Sequence, residues 1–215
     1  MLLAKERNFV VINMNIFLKN LFELLAIDMP YLHSYLSLRE MQYIDSKLKS
    51  KADLDSDFYT SDEGLNLEML LHFLTSHKQE IYQLLDDPSK KHIVTSLYTS
   101  STISGNYDCF RFDLDRFEQT YNPIGEELLI YRVGRENESA NNLGHSWSKS
   151  HAGIRSYAKS SSINALNRPV FQAKINDSEI LSEINSQEDE LILKKNFVPI
   201  SCRELNQNEL QQIFI

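Results

Sequence analysis

Cysteine, glycine and tryptophan are all scarce in this 215-residue chain, with two, six and one copies. Cys109 and Cys202 lie far apart in sequence, which provides neither a disulfide framework nor a zinc site. They read as free thiols of a reducing compartment, with a single bridge as the alternative. The few glycines form no Gly-x-Gly-x-x-Gly or Walker-type loop that could cradle phosphates. Long apolar runs are also missing: Phe9 to Ile12 is apolar, but Asn13, Asn15, Lys19 and Asn20 interrupt the next residues. No stretch reaches the roughly 18 residues that span a bilayer. The same run lacks the length and the small-residue cleavage site of a signal peptide. The expectation is a soluble, cytoplasmic protein without a membrane partner, or one delivered into the cytosol of a target cell.

Basic charge is in deficit as well. Thirty acidic residues face 22 basic ones, a formal net charge of -8. An acidic chain repels phosphate backbones at long range, so nucleic acid is a disfavoured partner. What is present is ordinary for a globular protein, 42% hydrophobic and 24% charged residues. The length suits one large domain or two small ones.

The first 95 residues read as a helical region. Met14, Phe17, Leu18, Leu21 and Leu25 recur at helical spacing, and Pro30 is expected to stop that segment. As a surface helix for a partner or membrane, this stripe lacks a basic polar face, so it reads as core-facing. Ser37-Leu38-Arg39-Glu40 has capping-box form before Met41, Ile44 and Leu48. An acidic, exposed loop is expected from Lys51 to Gly64. Leu67, Leu70, Leu71, Leu74, Ile81, Leu84 and Leu85 then predict one amphipathic helix ended by Asp86-Asp87-Pro88.

Residues 96–215 change character. Aromatic and β-branched residues become common and apolar runs shorten. Tyr107 to Phe112 predicts a strand and Leu114 to Tyr121 a short helix. Leu128 to Val133 is nearly continuous and apolar, as a strand covered on both faces should be. His151 to Lys159 predicts a helix, and Val170 to Ile175 and Leu191 to Leu193 two strands. Ser, Asn and Gly accumulate in a long loop from 134 to 150.

Three features there could carry chemistry. Arg132 sits near the end of the buried-looking strand, where an unpaired guanidinium would be costly. It needs either a local carboxylate or a ligand phosphate, whose oxygens match its planar fork. In Gly144-His145-Ser146-Trp147-Ser148, a strand would aim Ser146 and Ser148 to one face and Trp147 into the core. Two such hydroxyls suit a ribose or an amide, or they are plain surface serines. In Gln187-Glu188-Asp189-Glu190, a strand entrance would place Glu188 and Glu190 on one face, Cα atoms roughly 6.6 Å apart. Adjacent carboxylates raise each other's pKa; the bland alternative is a solvated acidic turn. His72 and His77 do not share a helical face and bring no second ligand pair, so no metal is expected. His145 and His151 lack a nucleophile elbow around either serine.

Arginine on a strand, Ser-x-Ser before a helix, and Glu-x-Glu entering an apolar strand occur in that order. From about Leu128 to Ile200 this resembles the mono-ADP-ribosyltransferases, within the Arg-Ser-Glu class of cholera-toxin-like and clostridial-toxin-like enzymes. Two departures are plain. Trp147 stands where the family often has threonine, and Ser182 to Gln187 lacks the aromatic usual in the acceptor loop. The resemblance implies an α+β fold, with a helical N-terminal part and a split mixed or antiparallel β-sheet core over 96–215. It implies NAD as substrate, held by Arg132, Ser146 and Ser148, with Glu190, Glu188 and Ser146 catalytic. Glu190 would stabilise the oxocarbenium-like ribose, and Glu188 would guide an acceptor, protein arginine as the first guess. It further implies a toxin or effector, with room for an antitoxin or immunity partner. Two alternatives stay open: an NAD glycohydrolase on the same fold, and a non-enzymatic interaction module.

Overall fold

The computed structural model describes residues 14–55, 65–100, 110–184 and 187–215. The chain forms two compact units, Met1–Lys90 with Tyr107–Phe112, and Lys91–Asn106 with Asp113–Ile215. Cys109 and the whole acidic stretch from 56 to 64 lie outside the described residues.

The first unit is helical, with α1 (Ile16–Leu24), α2 (Met29–Tyr35), α3 (Leu38–Lys47), α4 (Leu65–Ser76) and α5 (Lys78–Asp86). Asn15 caps α1 by accepting from the Leu18 N–H, and Leu18, Leu21 and Phe22 are buried. Pro30 does not end this segment. The chain leaves α1 through Ala26 in the left-handed region (φ 52°), and Pro30 sits in the first turn of α2, capped by Asp28. Proline fits there because a first-turn residue needs no N–H donor. The capping box of α3 is complete: Ser37 N donates to Glu40 Oε2 at 2.7 Å and Glu40 N to Ser37 Oγ at 3.2 Å.

The single helix expected over 67–85 is two, because the chain turns at His77. No proline or glycine marks that break, so apolar spacing alone ran the two together. Of the strand expected at 107–112, residues 107–109 lie outside the described residues. Phe112 forms one antiparallel bridge to Ile27, and Phe110 and Phe112 stack around Phe73 at 4.9 and 6.0 Å. Where a loop is expected between Lys51 and Gly64, Lys51–Asp55 is a 3-10 turn anchored by Leu54.

The second unit is α+β. It contains α6 (His92–Tyr98), β1 (Glu127–Val133), β2 (Ser146–Ser148), α7 (His151–Ser160), β3 (Val170–Asn176), β4 (Ile180–Ile184), β5 (Glu190–Leu193), β6 (Ser201–Glu204) and α8 (Gln207–Phe214). The strands form one sheet in the order β4-β5-β2-β1-β3-β6. Every neighbouring pair is antiparallel. The helix expected over Leu114 to Tyr121 shortens to a 3-10 turn at Leu114–Arg116.

Alternation along β1 feeds two cores. Tyr131 and Val133 pack with Ile154, Ala158, Leu210 and Ile213, under α7 and α8. Ile130 packs on the opposite face with Trp147, Phe171, Ala173, Leu191 and Leu193. Trp147, 2% exposed, is the largest side chain in that second core. Truncating it would cost about 3–5 kcal/mol.

The middle of the sheet is its thinnest junction. β1 and β3 register over seven residues, whereas β1 and β2 register only at Tyr131 and Ser148. On either side of that seam stand three strands, β4-β5-β2 and β1-β3-β6. Asp177, 1% exposed, pins the approach to β1 by accepting from Ile124 N at 2.6 Å and Gly125 N at 3.0 Å. Among the described residues, no helix is long and apolar enough to cross a membrane.

Candidate functional site

The seam gathers Arg132, Ser146 and Glu190. β1 carries Arg132, β2 carries Ser146, and Glu190 opens β5. Ser146 Oγ donates to Glu190 Oε1 at 2.5 Å, and Arg132 Nη1 donates to the Ser146 carbonyl at 2.6 Å. A guanidinium, a hydroxyl and a carboxylate, drawn from three strands, are thus linked through one serine.

Arg132 also has the local carboxylate that a buried guanidinium calls for. Its Nε donates to Glu138 Oε1 at 2.6 Å and its Nη2 to Glu138 Oε2 at 3.0 Å. The side chains are 14% and 4% exposed, so the pair is desolvated and breaking it is costly. Glu138 further accepts from Gly144 N at 2.6 Å and Arg135 N at 3.0 Å. Burial alone would raise the Glu138 carboxyl, but Arg132 and the two backbone N–H groups hold it below its ordinary value. Burial likewise opposes the Arg132 charge, and Glu138 more than offsets it. Gly144 leaves room for this approach, because a Cβ there would overlap the Arg132 guanidinium as it now lies.

The Glu190 carboxyl is raised above its ordinary value. Burial is the main cause and the nearby Glu188 charge adds to it, while the Ser146 hydrogen bond and Arg132 pull the other way. Burial also pushes the Tyr98 phenol, on α6, up to about 12, and the charges of Arg132, Glu190 and Arg135 all reach it. Tyr98 packs edge-on against Phe117 at 5.6 Å and belongs to the apolar patch over Ile192, two residues beyond Glu190 in β5.

Glu188 is not on the strand. It lies in the turn before β5, followed by Asp189 in the left-handed region (φ 48°). The left-handed residue interrupts strand alternation between Glu188 and Glu190, and the Glu188 charge still reaches Glu190. Glu188 Oε1 instead accepts from Ser160 Oγ, at the end of α7, at 2.8 Å. Ser148 is buried at 5% exposure, and its hydroxyl is bonded to the carbonyls of Ser150 (3.0 Å) and Glu188 (2.8 Å). It braces the turn. Ser150 Oγ donates to Asp189 Oδ2 at 2.5 Å and caps α7 by accepting from Gly153 N. The acceptor loop expected over Ser182 to Gln187 is in part strand, since β4 runs to Ile184; Asn185 and Ser186 lie outside the described residues.

Neither histidine forms a dyad with these serines, whose hydroxyls donate to Glu190 and to backbone carbonyls. His145 Nδ1 lies 3.2 Å from the Lys194 carbonyl, and the His151 ring packs against Tyr131 at 4.4 Å. Glu138, Tyr98, Ser150 and Gly153 went unrecognised in the sequence. Of these only Glu138 left a usable signal, since a strand-borne arginine needs a carboxylate. Among the described residues, no group of three or more His, Cys, Asp or Glu is placed to hold a metal ion. No protein-family model, curated protein or solved structure matches the chain.

Proposed function

We propose that the sheet-bearing unit has an ADP-ribosyltransferase-like core that binds NAD and transfers its ADP-ribose to a macromolecular acceptor, protein arginine being the first choice. The observation that carries the reading is the Ser146–Glu190 hydrogen bond, formed where Arg132 is also tied to Ser146. Three residues far apart in sequence converge on the one place where the sheet is thinnest.

The chemistry is dictated by charge. The bond between ribose C1' and the nicotinamide nitrogen breaks with its electron pair leaving on nicotinamide. Positive charge then spreads over C1' and the ring oxygen, as in other glycosidic cleavages. A carboxylate held beside the ribose stabilises that charge, and it does so best in a site that excludes water. Glu190 takes this role, and Ser146 fixes its orientation. Arg132 has five N–H donors, of which Nε, one on Nη1 and one on Nη2 are used within the protein. One N–H on each terminal nitrogen is left for the diphosphate. The acceptor attacks C1' and gives up a proton, which Glu188 takes if it turns away from Ser160. By family likeness alone, such an enzyme is a toxin or effector.

Hydrolysis is the second reading, favoured by one observation. Glu188, the residue meant to guide an acceptor, is bonded to Ser160. Incubating the chain with labelled NAD, with and without cell extract, separates the two. Label fixed on macromolecules means transfer, and free ADP-ribose alone means hydrolysis. No nicotinamide release, or release undiminished in Glu190→Gln, overturns both.

A further inference from the structure

We infer that Glu138 is a positioning residue for this reaction, holding the Arg132 guanidinium so that one edge is bound by the protein and the other is turned to the NAD diphosphate. The inference rests on the proposed NAD-cleaving function. An arginine on a flexible stem samples many orientations, and a phosphate clamp needs one. Glu138 binds the side edge of the fork through Nε and Nη2, at 2.6 and 3.0 Å. Ser146 takes one N–H of Nη1 through its carbonyl at 2.6 Å. The N–H groups left over sit on the two terminal nitrogens, and a pair of that kind matches two oxygens of one phosphate.

The support behind Glu138 is unusually complete. Its carboxylate also receives the Gly144 N–H at 2.6 Å and the Arg135 N–H at 3.0 Å. Gly144 in turn accepts from the buried Trp147 indole at 2.8 Å, which ties the loop's end to the core. A Cβ at 144 would overlap the guanidinium where it now lies, so the glycine lets Arg132 take this position. Because Ser146 also bonds Glu190, the chain of contacts runs from Glu138 through Arg132 and Ser146 to the carboxylate that faces the ribose.

Glu138 has a second effect, on charge. The charged and titratable groups that act on Glu190 are Arg132 from β1 and Glu188 from the turn; Tyr98 of α6 is coupled to the same cluster. Glu138 neutralises Arg132, so removing its charge strengthens the pull of Arg132 on Glu190. Glu190 then ionises at lower pH. A neutral loop residue would not move that titration; the KM increase is what separates positioning from charge alone.

The test uses the full chain and measures nicotinamide release, thermal stability and NAD binding for Glu138→Gln, Glu138→Asp and Gly144→Ala. Glu138→Gln is expected to raise KM for NAD at least tenfold, with kcat altered less than KM, and to shift the acid limb of kcat/KM to lower pH. Glu138→Asp, which restores the charge on a shorter arm, is expected to recover part of the KM and return the acid limb. Gly144→Ala, which displaces Arg132 while leaving Glu138 intact, is expected to raise KM likewise. If Glu138→Gln fails to fold, the other two variants decide. Folded variants with KM within twofold of the parent overturn the inference alone. A parent chain that neither binds nor cleaves NAD overturns the functional reading, and this inference with it.

Discussion

Ser146 and Glu190 are diagonal neighbours on adjacent antiparallel strands: Ser148 pairs with Glu190 and Ser146 with Ile192, and the Ser146 hydroxyl reaches back to Oε1 at 2.5 Å. Diagonal neighbours are within reach of one another on a sheet face when one side chain is long. The contact therefore depends on the β2–β5 register, and a one-residue slip would abolish it.

Removing that hydroxyl should be costly for turnover and mild for folding. The bond stabilises ionised Glu190, so Ser146→Ala raises the pKa of Glu190 further. The acid limb of the pH–rate profile is expected to move to higher pH, with kcat falling about 10²-fold, the usual size for losing one preorganised donor. Steady-state nicotinamide release across pH checks both. An unmoved acid limb would show that Glu190 is not the titrating group.

Glu188→Gln should move the same limb the opposite way. The Glu188 charge raises Glu190, so neutralising it lets Glu190 ionise at lower pH. Nicotinamide release should persist, whereas label fixed on protein acceptors should fall at least tenfold if Glu188 takes the acceptor proton. Scintillation counting of precipitated protein beside chromatography of free ADP-ribose reads the two separately.

Glu190 also has a stability signature. Its folded pKa lies above the ordinary value, so its protonated form is the one the fold favours. The associated stability is complete below the unfolded pKa and is lost as pH rises through the folded pKa. Above the folded pKa the buried charge is a burden, and Glu190→Gln is expected to raise stability there while abolishing turnover. At pH 4 the gain should vanish. Thermal melts of parent and variant at pH 4 and above the folded pKa test it.

Local patterns carried most of what was legible. β1 was readable because both faces are buried and its apolar run is unbroken, and α3 because its capping box is local. β2 was readable from alternation, with Trp147 inward and the two serines opposite. β6 was not: Ser201-Cys202-Arg203-Glu204 is a largely exposed edge strand, where burial imposes no alternation. The second half of β4, Ser182 to Ile184, was absorbed into an expected loop because the strand is short and Ser182 and Glu183 break its apolar character. The Arg132 anion was anticipated, but its identity depended on loop closure: Glu138 is six residues away and Gly144 must be in place. Glu188 falls in a turn rather than on the strand, because strand alternation does not extend through the left-handed Asp189.

Asp177 predicts an acid-labile entrance to the sheet. Burial alone would raise its carboxyl, but N–H groups of Ile124, Glu126, Gly125 and Ser178 together hold it below the ordinary value. Its contribution is present above the unfolded pKa and is lost as pH falls through the folded pKa. Asp177→Asn should lower the melting temperature at neutral pH and flatten its decline below pH 4. Melts from pH 2 to 7 check this, and parallel curves for parent and variant would count against it.

Gly153 offers the cleanest separation of turn position from chemistry, because it lies on α7 and carries no functional group. A Cβ at 153 would overlap the Glu188 carbonyl and the Ser148 hydroxyl. The turn is held by Ser148 to Glu188, Ser150 to Asp189 and Lys149 N to the Asp189 carbonyl at 3.0 Å, so it has little room to yield. Gly153→Ala is therefore expected to push Glu188 and Asp189 outward and carry Glu190 off its contact with Ser146. An alanine in a helix interior normally stabilises it by roughly 0.5–1 kcal/mol, whereas overpacking costs about 1–3 kcal/mol. The collision is with backbone, so overpacking should win, and stability should fall. Nicotinamide release should fall further than stability alone predicts, by at least tenfold in protein that is still fully folded. A folded Gly153→Ala chain with parental kcat would mean that Glu190 does not depend on the turn for its position.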